Sequence, residues 1–273
     1  MKRGANRAVL ITIVLIVVAG AGAVWFFVRS PFAPPPGCTV AGATAGSSGF
    51  ALSPEQAGNA ATIAAVGQRL GMPDHAVTVA LATAMQESDL ANLSGGDRDS
   101  AGLFQQRPSQ GWGTYAQVTD PVHASIEFYD HLRKLSGWQQ LSVTEAAQQV
   151  QHSAAPDAYA VWEPEARALA VALTGEAAAA LTCQNLTIAA PSASLADLAA
   201  AEWGTSTLSG PHSTARGWAI SSWLVAHATR LGIDRVTYGG RTWTAASGSW
   251  QQGGPVTDTL SLHQVPATTK PQG

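Results

Sequence analysis

Glu87 is the residue in this chain whose type and position could do proton chemistry. It ends an apolar stripe of Val77, Ala80, Leu81 and Ala84 at helical spacing, so its carboxyl group points towards the core side. Desolvation there raises a carboxyl pKa, which lets the group give up a proton near neutral pH and take one back. Cleavage of a glycosidic bond is chemistry of that kind, because the departing oxygen must be protonated. The bland alternative is a solvated glutamate near a helix end.

The stretch after Glu87 suits a sugar. Asp97, Asp99, Gln105, Gln106 and Trp112 lie among Gly95, Gly96, Gly102, Pro108, Gly111 and Gly113, too many breakers for a long helix. A loop or small hairpin is expected, with a short helical turn near Leu103 to Gln106. Trp112 offers a face for a sugar ring, or simply half-buried packing. Asp97 and Asp99 are candidates for a second carboxylate. An inverting hydrolase needs one to activate water, whereas attack by the substrate's own hydroxyl lets one carboxyl group act twice. Turn formation is their competing role. His123, His131 and His152 show no ligand spacing and read as surface or core residues.

The elements around this stretch are well punctuated. Ser53, Pro54 and Gln56 open a helix that carries Ile63, Val66 and Leu70 and stops at Gly71. Pro73-Asp74 opens the helix that ends with Glu87 and Ser88. Asp120-Pro121 starts another, with Val122, Ile126, Tyr129 and Leu132 inward. Ser142 with Glu145 caps the next, and Pro164 begins one through Leu169 and Leu173. Five or six helices over this length predict a compact all-α domain with at most a small β element.

Residues 8–28 carry no charge, and as a helix these 21 residues would span about 31 Å, enough for a hydrocarbon core. Lys2, Arg3 and Arg7 precede them, which puts residues 1–7 in the cytoplasm and the bulk of the chain outside the cell membrane. The expectation is an uncleaved single-pass anchor; the alternative is a signal peptide cut near Ala21 or Ala23, giving a secreted protein. Residues 29–49, rich in Pro, Gly, Ala and Ser, read as a spacer. Cys38 and Cys183 would then lie in an oxidising compartment, and a disulfide between them is expected. Between Gly37 and Gln184, 14 acidic residues face 6 basic ones. That balance excludes nucleic acid and anionic lipid as partners of this part.

Residues 184–194 turn to Ala, Ser, Thr and Pro, a linker composition. A small α+β module over 195–252 follows, with a helix near Arg216 to Leu231 and a hairpin around Gly239-Gly240. Residues 253–273 read as a disordered tail.

Glu87-Ser88, followed by Ser100-Ala101-Gly102-Leu103-Phe104-Gln105, resembles the Glu-Ser and Gly-Leu-Met-Gln pattern of soluble lytic transglycosylases and goose-type lysozymes over about residues 53–181. The resemblance implies a mainly α, lysozyme-like domain at 50–183, here behind one N-terminal transmembrane helix and ahead of the α+β module. It implies Glu87 as catalytic acid and then base, and Ser88, Gln105, Gln106, Trp112 and Tyr159 around the substrate. Tyr159 stands in Asp157-Ala158-Tyr159-Ala160, similar to the family's Ala-Tyr-Asn motif with Ala160 in place of the asparagine. The implied activity is cleavage of the MurNAc to GlcNAc bond of peptidoglycan without a cofactor, as a lyase that leaves an anhydro end. A lysozyme-type hydrolase and a non-catalytic wall-binding scaffold are the alternatives.

The run from His212 to Ile220 resembles a cell-wall carboxypeptidase-like domain that has lost its zinc motif, with Ala219 at a ligand position and Arg216-Gly217 in inverted order. No metal is expected there. Trp218, Trp223, Trp243 and Trp250 are left for wall contact or packing.

Overall fold

The computed structural model of the protein describes residues 34–42, 49–152 and 157–266. The first described strand belongs to a three-stranded antiparallel sheet in the order β2-β1-β3, formed by β1 (Gly37–Val40), β2 (Phe50–Leu52) and β3 (Leu181–Gln184). The register sets Cys38 opposite Cys183, and the two are joined by a disulfide. Within the expected 29–49 spacer, Gly37–Val40 is a strand of alternating burial rather than loose chain, and residues 29–33 and 43–48 lie outside the described residues.

Helix α1 (Pro54–Arg69) begins at the Ser53 capping box, with Gln56 returning the bond to the Ser53 backbone. Helix α2 (Asp74–Ser88) is buried on every side rather than along one stripe, from Ala76 through Met85. Its alanines, with Thr78 and Thr83 bonded back to their own helix at Asp74 and Val79, let neighbours close around it. Helices α3 (Tyr115–Val118), α4 (Pro121–Lys134), α5 (Val143–Gln151) and α6 (Glu163–Thr174) complete this part. α2 packs on α5 and α6, and α1 on α4.

The rest of the chain builds on α1. After α7 (Leu195–Trp203) come β4 (Gly210–Pro211), α8 (Thr214–Ala226) and α9 (Ala228–Leu231), then β5 (Ile233–Tyr238), β6 (Arg241–Thr244), β7 (Ser249–Gln252) and β8 (Thr259–Gln264). The strands form a five-stranded sheet in the order β4-β8-β5-β6-β7. The expected tail at 253–273 is corrected in part, because Thr259–Gln264 pairs with β5 beside the middle of this sheet. Only Leu260 is buried along β8, too thin an apolar pattern to stand out in sequence.

The fold class is likewise corrected. Two antiparallel sheets accompany the helices, and among the described residues no helix is long and apolar enough to cross a membrane. The span expected at 8–28 lies outside the described residues. Pro36–Gly273 forms one compact unit rather than two domains on a linker. Glu202 of α7, 1% exposed, accepts from Thr62 Oγ1 of α1 at 2.9 Å and from Trp223 Nε1 of α8 at 2.6 Å. The expected linker is pinned where Ser192 N donates to the Arg230 carbonyl at 3.0 Å.

Candidate active site

Helix α2 stops just after Glu87, and the stop is abrupt. Asp89 and Leu90 both take left-handed backbone, φ 53° and 59°, a conformation that non-glycine residues hold only when their surroundings enforce it. Side chains of α1 supply that enforcement: Gln56 Nε2 donates to the Asp89 carbonyl at 2.9 Å and Asn59 Nδ2 to the Leu90 carbonyl at 2.7 Å. Glu87 is left in the last turn, half-buried at the edge of a cleft of about 580 Å³.

The Glu87 carboxyl is pushed above the ordinary glutamate range, chiefly because burial penalises its charged form. Two donors oppose this: the Tyr159 hydroxyl, 2.7 Å from Glu87 Oε1, and the Gln151 side chain. Tyr159 is itself fully buried. Gln151, at the end of α5, also donates through Nε2 to the Phe104 carbonyl at 2.8 Å. Its amide thus joins the glutamate to the loop that carries the second motif.

That loop is a tight turn closed by a bridge between Ala101 and Gln106, not the expected helical turn. Gly102, at φ 79°, passes so close to α3 that a Cβ would sit 1.9 Å from the Val118 carbonyl oxygen. Leu103 and Phe104 point into the core. The Ser88 side chain is not among the donors to the Glu87 carboxyl. Its hydroxyl donates to the Leu103 carbonyl at 2.7 Å and fastens the loop to the helix end. Gln105 lines the cleft, but its amide is engaged in the loop: Nε2 donates to the Gly102 carbonyl and Oε1 accepts from Ser100 Oγ. Gln106 lines the cleft and donates from Nε2 to the Ala124 carbonyl of α4. Trp112 lines it too.

The two aspartates separate. Asp99 accepts from Ser109 N at 2.7 Å, Ser109 Oγ at 3.0 Å and Arg107 Nε at 3.0 Å, and these donors hold its pKa down at about 2. It braces the loop. Asp97 lies on the cleft rim with its side chain 88% exposed. Neither is placed as a desolvated partner of Glu87.

Among the cleft residues that sequence reasoning did not place there are Gln151 and two histidines that read as surface or core residues, His131 and His152. Gln151 and His152 enter because α5 ends there, His152 taking φ 52°. A signal for His131 was available: it precedes the inward Leu132, on the flank of the buried face of α4.

Among the described residues no cluster of three or more His, Cys, Asp or Glu side chains is arranged to hold a metal ion. His212 Nε2 is spent on the Leu208 carbonyl at 2.7 Å. Trp218, Trp223 and Trp243 are buried and Trp250 half-buried, so they pack rather than face solvent. Trp243 Nε1 donates to the Cys183 carbonyl at 3.1 Å and Trp250 Nε1 to the Leu181 carbonyl at 2.9 Å.

Comparison with known proteins reaches the C-terminal part. Residues 197–261 match the family model described as VldE, C-terminal domain, which runs from within α7 into β8. No curated protein matches the chain.

Proposed function

We propose that this protein is an extracytoplasmic glycan-cleaving enzyme that acts on peptidoglycan as a lytic transglycosylase. The observation that carries the reading is one half-buried glutamate in a cleft, raised by desolvation and oriented by Tyr159 and Gln151. Glu87 protonates the oxygen that leaves the MurNAc carbon. As carboxylate it then takes the proton of the same sugar's primary hydroxyl, whose oxygen attacks that carbon and closes the anhydro ring. The proton returns to Glu87, and no water is consumed.

The hydrolytic alternative needs a second carboxylate. Asp99 is occupied by Arg107 and Ser109, which favours the transglycosylase, and Asp97 on the rim is the residue through which a hydrolase would work. The Cys38–Cys183 disulfide supports an oxidising compartment.

The test is incubation of purified peptidoglycan with wild type and Glu87→Gln, with mass spectrometry of the soluble products. Anhydro-ended fragments from wild type and a loss on the order of 10²–10⁴-fold in Glu87→Gln are expected. Reducing ends would assign the hydrolase. Intact peptidoglycan with the wild-type protein would overturn the enzyme reading and leave a wall-binding scaffold.

A further inference from the structure

One wall of the cleft carries a constellation that proton transfer does not use. Trp112 from the loop lies on the imidazole of His131 from α4, with ring centres 4.0 Å apart and planes 29° apart. Both side chains are half-buried, and both line the cleft that holds Glu87. An aromatic pair that only filled the core would be closed off on all sides, as Phe104 and Phe128 are. This pair is open on the side where a ligand would lie.

The imidazole is fixed in its tautomer. His131 Nδ1 lies 2.8 Å from the Glu127 carbonyl oxygen, which has no proton to give, so Nδ1 carries the hydrogen. In the neutral ring Nε2 is then a lone-pair acceptor. Among the described residues no protein group donates to it. Beside an indole, such an acceptor matches one class of ligand: a pyranose has an apolar C–H face to lay on the ring, and hydroxyl or acetamido N–H groups at its rim to donate. An anionic substituent is a poorer match. The nearby cation Arg107 is already paired with Asp99 at 3.0 Å.

Resting on the glycan-cleaving reading, we propose that Trp112 and His131 form a saccharide subsite for the neutral hexosamine ring. The sugar lies against the open edge of the stacked pair, its apolar C–H face beside Trp112 and a hydroxyl or acetamido N–H donating to His131 Nε2.

The experiment measures binding apart from cleavage, by titration calorimetry of a soluble GlcNAc oligosaccharide into the full chain carrying Glu87→Gln. In that background His131→Phe keeps the aromatic support and removes the acceptor, and its Kd is expected to weaken about 2- to 10-fold, the loss of one hydrogen bond. His131→Gln restores an acceptor and recovers part of the loss. Trp112→Ala is expected to weaken Kd about tenfold or more. Trp112→Phe, which retains a smaller face, is used if circular dichroism shows the alanine protein unfolded. Wild-type Kd in both His131→Phe and the Trp112 variant overturns the subsite, as does an oligosaccharide that does not bind the background at all. Those results leave the cleavage reading standing, because it is judged by the products that wild type releases from peptidoglycan.

Discussion

Glu87 is protonated over a wider pH range than a solvated glutamate because burial works against its charge, and Tyr159 and Gln151 hold that effect in check. The acid must be protonated to start the reaction, so activity should fall as pH rises through its raised pKa. Removing a donor that favours the carboxylate raises that pKa further. Tyr159→Phe and Gln151→Leu should therefore each move the alkaline limb of kcat/KM to higher pH, read from a pH–rate profile on peptidoglycan. A residue that merely packed the cleft would lower the rate without moving the limb. Asp99 obeys the opposite sign. Its pKa is depressed to about 2, so its stabilising contribution is present above the ordinary aspartate range and is lost as pH falls towards 2. Asp99→Asn should remove that acid-sensitive component from a series of melting curves at pH 2 to 5 and leave the alkaline limb of activity unmoved. The glutamate was legible in the sequence because it closes the apolar run of α2 inside the Glu-Ser motif. Gln151 was not, since it reaches the cleft only because α5 ends there, and His131 was marked only by its place beside the inward Leu132.

The turn from Ala101 to Gln106 matters as an element, because it is clamped from three sides: Ser88 holds the Leu103 carbonyl, Gln151 holds the Phe104 carbonyl and Gln106 reaches α4. Gly102 is where this clamp meets α3. Gly102→Ala sets a methyl against the Val118 carbonyl in left-handed backbone, so it should lower stability by about 1–3 kcal/mol or more, read as a fall in denaturant midpoint. A drop in activity should accompany it, because the turn borders Glu87. Helix starts were the most legible part of the fold: Ser53, Asp120 and Ser142 cap where their side chains and the following Gln, Pro or Glu say they should. The β5–β6 hairpin was marked by Gly239-Gly240 at its turn, but the other short strands carry no such marks. β1 is hidden among Pro and Gly, and β8 has a single buried apolar residue, so pairing partners far along the chain decide them.

At the scale of the molecule, two devices hold distant parts of the sequence together: the disulfide, and the buried Glu202 with Thr62, Trp223 and His227 around it. The disulfide spans 145 positions, and a crosslink closing so long a loop contributes about 5 kcal/mol by the chain-entropy model. Cys38→Ser with Cys183→Ser should lower the denaturant-derived stability by up to that amount, in a single transition, because α1 is shared by both halves. The composition break at 184–194 suggested two domains. It was misleading because a polar segment can be pinned by its backbone, as Ser192 is, without burying apolar side chains. The tryptophans were read only as candidates for wall contact or packing, yet two of them have a further consequence. β3 is an outer strand of its sheet, and the carbonyls of Leu181 and Cys183 that face away from β1 are taken by the indoles of Trp250 and Trp243. A foreign strand approaching that side finds its acceptors occupied, so this edge cannot template pairing with a second chain, a protection against aggregation built from side chains instead of charge.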